Sequence, residues 1–303
     1  MSVFSELLKG SSSTDTVQPR TVVQKKKPLA QVQHEEPAVD WEETARNYHE
    51  PERPPVISVP TLRLNLERLA RLGMVTPGLE NTRVVEEYRY IKRPLLVSAF
   101  ESAQGMKNPN VLVVTSSHPG EGKTFNSINL ALSIAMERDH RVLLIDGDIE
   151  RAGLSKTLGV YKRPGLTNYL LNEDTSLMNT MFKVSGVERL RVLPSGPVRQ
   201  DAAELLASVR MKEFINEVST RYADRMVIID SPPLLASSSA KVLAELSGQV
   251  IIIVAADETS MSSLDESIKN VSEDKPVRLI LNKTSASRKH DEYQYGYFKK
   301  GSS

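Results

Sequence analysis

Not one cysteine occurs in the 303 residues, which excludes a disulfide framework, thiol catalysis and any thiolate metal site. An excess of one charge sign is missing too. Lys plus Arg number 39 and Asp plus Glu 38, a formal +1, so no global field drives the chain onto nucleic acid or anionic lipid. No apolar run approaches the roughly 18 consecutive residues of a membrane span. The longest, Val250 to Ala256, has the length of a strand. The opening MSVFSELLKGSSSTD lacks the basic-then-apolar layout of a secretory signal. Aromatics are only 5% of the chain, yet three of the nine tyrosines crowd into Tyr293 to Tyr297. These absences leave a cytoplasmic protein as the expectation. At 40% hydrophobic residues, the length suffices for one large domain or two small ones.

Residues 1–60 are poor in periodicity and rich in Ser, Thr, Gln, Glu and Pro. Stretches such as SSSTD, QKKKP and EPERPPV bury too little apolar surface to offset ordering entropy. They read as a disordered linker, and the acidic residues that follow Lys25, Lys26 and Lys27 suit a solvated one. Residues 61–105 read as N-terminal helices. Leu62, Leu66 and Leu69 recur at helical spacing, with Gly73 and Pro77 as a stop. A second helix is expected from Thr82 to Arg93, closed by Pro94. Over 106–284 the pattern changes to β-branched runs, namely VLVVTS, RVLLID, RLRVLPS, RMVIID, VIIIVAA and VRLILN. They alternate with segments of helical length such as FNSINLALSIAMER and AAELLASVRMKEFINEVSTRY. Near-continuous apolar strands separated by helices predict an α/β fold: a mainly parallel sheet covered by helices on both faces. Residues 285–303 turn polar again and read as a tyrosine-rich tail.

Three segments carry chemistry. The first strand runs into Ser117-His118-Pro119-Gly120-Glu121-Gly122-Lys123-Thr124-Phe125 and then a helix. GK[ST] between a strand and a helix ends a phosphate-binding loop. Gly120 and Gly122 let backbone N–H groups approach phosphate oxygens, and the helix N-terminus adds partial positive charge. Lys123 can bridge the β- and γ-phosphates while the Thr124 hydroxyl ligates magnesium. Ser117 stands where the usual pattern has its first glycine. The second strand ends Asp146-Gly147-Asp148, and carboxylates at i and i+2 on a strand project from one face. A later strand ends at Asp230, followed by Ser231-Pro232-Pro233. Acids closing apolar parallel strands stand where such sheets bind ligands and where P-loop nucleoside triphosphatases hold the magnesium shell.

With PGEGKT, LLIDGDIER and VIIDSPP in place, the chain resembles the bacterial tyrosine kinases, P-loop proteins of the MinD/ParA-like superfamily. No Gly-rich loop, HRD or DFG signature of the eukaryotic kinases occurs. EEYRYIK resembles the family's Glu-x-x-Arg-x-x-Arg motif, placing Glu86, Arg89 and Lys92 at the contact between subunits of a ring; Lys92 replaces the last Arg. Tyr293, Tyr295 and Tyr297 resemble the family's autophosphorylated cluster. LERLARLGMVTP, EEYRYIKRPLL and the short tail look closest to the cytoplasmic kinases of exosortase-associated exopolysaccharide loci.

The resemblance implies ATP and Mg²⁺ as cofactors, with Lys123 on the phosphates and Thr124, Asp146 and Asp230 around the metal. Asp146 or Asp148 would orient or deprotonate the incoming tyrosine, whose phenol has an ordinary pKa of about 10. It also implies transfer in trans onto a neighbour's tail, control of exopolysaccharide polymerisation and export, and a separate membrane activator of the polysaccharide co-polymerase type. That activator would recruit the kinase to the inner face of the membrane. Asn282 contacts the adenine ring or caps a turn; both readings stay open. Arg151 follows Glu150, and Ala152 stands where the family usually has Pro, which leaves no assigned role for Arg151.

Two rivals share the sheet. A partitioning ATPase of the MinD/ParA type would carry a second lysine at the position of His118 and lack the tyrosine tail. A catalytically silent, nucleotide-dependent scaffold would have no need of Lys123, Asp146, Asp148 and Asp230 together.

Overall fold

The run VLVVTS forms a central strand because every one of its side chains is buried, and the elements around it are arranged to bury them. The computed structural model describes residues 59–78, 82–103, 105–172 and 174–284. In chain order the elements are β1 (Thr61–Leu62), α1 (Leu66–Arg71), α2 (Arg83–Leu96), β2 (Val111–Ser116), α3 (Lys123–Ala135) and β3 (Arg141–Asp146). Next come three short helices, α4 (Gly153–Thr157), α5 (Leu166–Leu171) and α6 (Leu177–Thr180). These are followed by β4 (Phe182–Val184), β5 (Val187–Leu193), α7 (Ala202–Leu206), α8 (Val209–Arg221) and β6 (Arg225–Asp230). The chain ends its described part with α9 (Ser238–Leu246), β7 (Gln249–Ala255), α10 (Met261–Lys269) and β8 (Val277–Asn282).

One eight-stranded sheet results, in the order β1-β4-β5-β3-β6-β2-β7-β8. All neighbours are parallel except β4 and β5. The two-residue period of the strands sorts their side chains to opposite faces. Leu112, Val114, Val142, Leu144, Met226 and Ile228 pack on α2 and α3. Val111, Val113, Leu143, Ile145, Val227 and Ile229 pack on Phe214, Ile215 and Val218 of α8. The mainly parallel sheet with helices on both faces is therefore as the apolar runs require.

Three local expectations are corrected, and one strand is added. Pro94 does not close the second helix: α2 continues to Leu96 and passes into a π-helical turn over Val97–Glu101. Lacking an N–H, Pro94 forfeits the bond to the carbonyl of Tyr90, a residue 80% exposed, while Leu95 and Leu96 hold the last turn in the core. Leu62 starts no helix but sits in β1 beside β4, and α1 begins only after Asn65, whose Oδ1 accepts the Arg68 N–H at 2.9 Å. The segment AAELLASVRMKEFINEVSTRY is two helices, because the Ser208 hydroxyl caps a new N-terminus by accepting the Met211 N–H at 3.2 Å. Finally, FKV forms β4, too short to stand out by pattern. Ser185 and Gly186, with Gly186 at φ +79°, return the chain as a tight hairpin into β5.

Asparagines on α3 tie the N-terminal segments to the sheet. The Asn129 side chain accepts the Val75 N–H at 2.6 Å, and buried Tyr88 of α2 donates to Asn126 Oδ1 at 2.7 Å. Tyr88→Phe keeps the ring and orphans that buried oxygen. The expected loss is about 1–3 kcal/mol in a urea titration; an unchanged midpoint would show that the bond carries no stability.

Candidate functional site

Between β2 and α3 the chain makes the tight turn that the glycines permit. Gly120 has φ +88° and Gly122 φ +102°, both left-handed. A Cβ on Gly122 would stand 2.0 Å from Asn282 Nδ2, so this position is closed to side chains on steric grounds as well. Asn282, ending β8, donates to the Glu121 carbonyl at 2.8 Å and props the loop from the side. The Asn126 amide donates to the Gly122 carbonyl at 2.9 Å, so the Tyr88–Asn126 pair reaches the loop from behind. Glu121 is turned inward: its carboxylate accepts the His118 N–H at 2.8 Å and the Thr259 hydroxyl from the segment after β7. Ser117, in place of the usual glycine, is fully buried, accepting from the Ser267 hydroxyl at 2.8 Å across α10. The departure from the pattern is absorbed by a serine-lined helix. Lys123 and Thr124 are then the first residues of α3, where unpaired backbone N–H groups converge.

The acids arrive from the two strands next to one another in the sheet. Asp146 of β3 and Asp230 of β6 are register partners, both fully buried. Asp230 accepts from the Thr124 hydroxyl at 2.7 Å and from the Ser127 hydroxyl at 3.1 Å. Asp146 accepts the Ser155 N–H at 2.8 Å and, more weakly, the Asp148 N–H at 3.3 Å. Asp148 accepts the Arg151 N–H at 3.1 Å through one oxygen, and its other oxygen lies 3.7 Å from Lys123 Nζ. Gly147 lets the turn lie flat on β6, donating its N–H to the Asp230 carbonyl at 2.8 Å. A Cβ there would meet Ile229 Cγ2 at 2.7 Å. The structure thus brings Lys123, Thr124, Asp146, Asp148 and Asp230 to one edge, the carboxyl end of the parallel strands.

Burial sets the electrostatics. It pushes the Asp146 carboxyl up to about 7, the Asp230 charge adding to the effect and the Ser155 hydrogen bonds opposing it. Burial likewise pushes Asp230 up to about 6, against the lowering influence of Lys123, Thr124 and Ser127. Two buried acids that resist ionisation side by side are a donor set short of positive charge. Their oxygens and the Thr124 hydroxyl are hard ligands of the kind magnesium takes, so the residues fit that ion.

The remaining predicted residues divide. Glu86 and Arg89 lie half-exposed on α2 and pair with each other. Lys92 does not join them: it is 7% exposed, its ammonium bonded to the Ser133 carbonyl at 2.8 Å and paired with Glu137 at 2.8 Å. Arg151 is exposed beside Asp148. Tyr293, Tyr295 and Tyr297, like Lys25 to Lys27, lie outside the described residues. Sequence reasoning missed Ser127, Ser155 and Thr259. Ser127 follows Lys123 by one helical turn and so was legible. Thr259 stands 138 residues from Glu121, and nothing local announces it.

A family model for an AAA domain matches residues 110–282. Tyrosine-protein kinase YwqD of Bacillus subtilis is 32% identical over 226 residues, 74% of this chain and 90% of the relative. The crystal structure of the VpsO kinase domain superposes with a TM-score of 0.57 at 30% identity, covering 67% of this chain and 97% of that one. The kinase domain of the Escherichia coli tyrosine kinase ETK superposes with a TM-score of 0.57 at 25% identity, covering 76% and 92%. Of several longer curated kinases that it matches, the chain spans only 21% to 32%.

Proposed function

The chain belongs to the bacterial tyrosine-protein kinases, and from that premise we propose how its residues divide the work and on what they act. The observation that carries the reading is the convergence of Lys123, Thr124, Asp146, Asp148 and Asp230 on one edge of adjacent strands. Phosphoryl transfer asks mainly for positioning and charge neutralisation. The N–H groups of Gly120, Glu121 and Gly122 and of the start of α3 bind the triphosphate, and Lys123 leaves Asp148 for the phosphate oxygens. Thr124, Asp230 and Asp146 would hold magnesium, which neutralises phosphate charge when bound.

The phenol oxygen of a tyrosine attacks the γ-phosphorus, the bond to the β,γ-bridging oxygen breaks, and ADP departs. The phenol proton passes to a carboxylate of the Asp146–Asp148 pair.

The acceptors are Tyr293, Tyr295 and Tyr297 of a neighbouring copy. About ten residues separate them from β8, a reach of about 35 Å for extended chain. Glu86 and Arg89 on the open side of α2 form the contact between copies in a ring, and Lys92 supports that helix from beneath. The tail phosphates, each bringing nearly two negative charges, repel the acidic pocket and loosen the ring. Control of exopolysaccharide polymerisation and export, with a separate activator at the membrane, follows the resemblance of LERLARLGMVTP and EEYRYIKRPLL. The matched domain also lies within much longer chains among the relatives. Among the described residues, no helix is long and apolar enough to cross a membrane.

Incubation of the purified chain with ATP and magnesium is expected to give an anti-phosphotyrosine signal. The triple Tyr293→Phe, Tyr295→Phe, Tyr297→Phe variant should reduce it to background. Full signal in that variant would remove the tail as acceptor.

A further inference from the structure

At the opposite edge of the sheet, where the strands begin, four arginines gather. Arg141 opens β3 and Arg225 opens β6, and the two are register partners; Arg189 and Arg191 belong to β5, on the other side of β3. Together with Glu188 they line a cavity of about 320 Å³. One carboxylate, Asp224, serves two of the four, at 3.2 Å from Arg141 and 3.4 Å from Arg225. Arg191 spends its hydrogen bonds on the carbonyls of Glu188 and Leu190, at 3.1 and 3.2 Å. Among the described residues, four guanidiniums face the carboxylates of Glu188 and Asp224, which leaves two positive charges in excess.

The cluster is also held in place. The Arg225 side chain is 13% exposed and its guanidinium lies 4.1 Å above the Tyr222 ring. The Arg191 guanidinium is depressed below its ordinary value by burial first and then by Arg225, with Glu188 opposing and Arg141 adding to the effect. Arginines that repel one another inside a recess, with two carboxylates among the described residues to balance four of them, favour a further anion.

We propose that these arginines form a second anion site, which takes a phosphate monoester or free phosphate as a dianion. Its two charges match the excess of two. Planar guanidinium forks bond phosphate oxygens in pairs, as an ammonium does not. A single carboxylate would neutralise half of the charge. The six residues of β3 span about 20 Å, so the site lies clear of the phosphate loop and can be filled together with it. The inference does not depend on the kinase reading. That reading supplies one source of the ligand, since phosphotyrosine is a phosphate monoester.

The test titrates O-phospho-L-tyrosine, inorganic phosphate and plain tyrosine into the full chain by calorimetry. Saturating ADP and magnesium keep the phosphate loop occupied. The wild type is expected to bind one phosphorylated ligand and no tyrosine. R191Q, and separately R141Q/R189Q on the more exposed side, should each weaken binding about tenfold or more, with melting temperatures close to wild type. Tighter binding of phosphotyrosine than of phosphate identifies the ester as the ligand, and equal binding identifies the free anion. The proposal is overturned if plain tyrosine binds as well, if no heat is released, or if R141Q/R189Q binds like the wild type.

Discussion

A Lys123→Ala variant is expected to phosphorylate tyrosine about 100- to 1000-fold more slowly than the wild type, the cost of removing one preorganised charge from a phosphate-binding site. The lysine side chain is 13% exposed and reaches inward to within 3.7 Å of Asp148, so its ammonium occupies the space in front of the acids. Backbone N–H groups of the loop and the Thr124 hydroxyl remain in the variant, and nucleotide affinity should fall less than the rate does. The rate of phosphotyrosine appearance at saturating ATP and magnesium reads the effect. A variant retaining more than about a tenth of the wild-type rate would remove Lys123 from the reaction.

Phe214→Ala is expected to cost about 3–5 kcal/mol of stability. Phe214 is a large side chain of α8 that is fully buried, with the Tyr169 ring 5.3 Å away and tilted by 55°. Ile215 and Val218 on the same helix, with Val227 and Ile229 on β6, surround it, and all four are buried outright. Such a wall relaxes little into the space left behind. Against an ordinary total of 5–15 kcal/mol, the loss should lower the melting temperature by about 10 °C or more. Below the transition the variant should still bind ATP, because α3, which the phosphate loop leads into, packs on the opposite face of the sheet. A loss under about 1 kcal/mol would mean that α8 closes the gap.

Much of this molecule was legible because two signals agreed. VLVVTS, RVLLID and RMVIID coincide with β2, β3 and β6 residue for residue, since central strands buried on both faces are mostly apolar; VRLILN coincides with β8 although that strand is half-exposed, its β-branched and aliphatic run carrying the signal. The acids at two of their ends marked the functional edge without further help. What stayed hidden rests on contacts between distant segments. Pro94 reads as a stop, but Leu95 and Leu96 anchor the next turn in the core. β4 has three residues and exists through a hairpin with β5 and a short pairing with β1. Lys92 matched an interface motif by spacing, while the end of α3 offered its ammonium a carbonyl and a carboxylate within the same chain. Glu121 reads as a spacer in a glycine loop. Its role as a brace required Thr259 from the far end of β7.

The strand that delivers the phosphate loop, β2, has β6 on one side and β7 on the other, and α3 lies over it. None of its amides can trade a proton with solvent unless the middle of the sheet comes apart, whereas β1 and β8 are free to fray at the margins. Hydrogen–deuterium exchange should therefore be slowest beneath the nucleotide pocket. The strand beneath the pocket has no melting point of its own; it is lost only when the whole domain is.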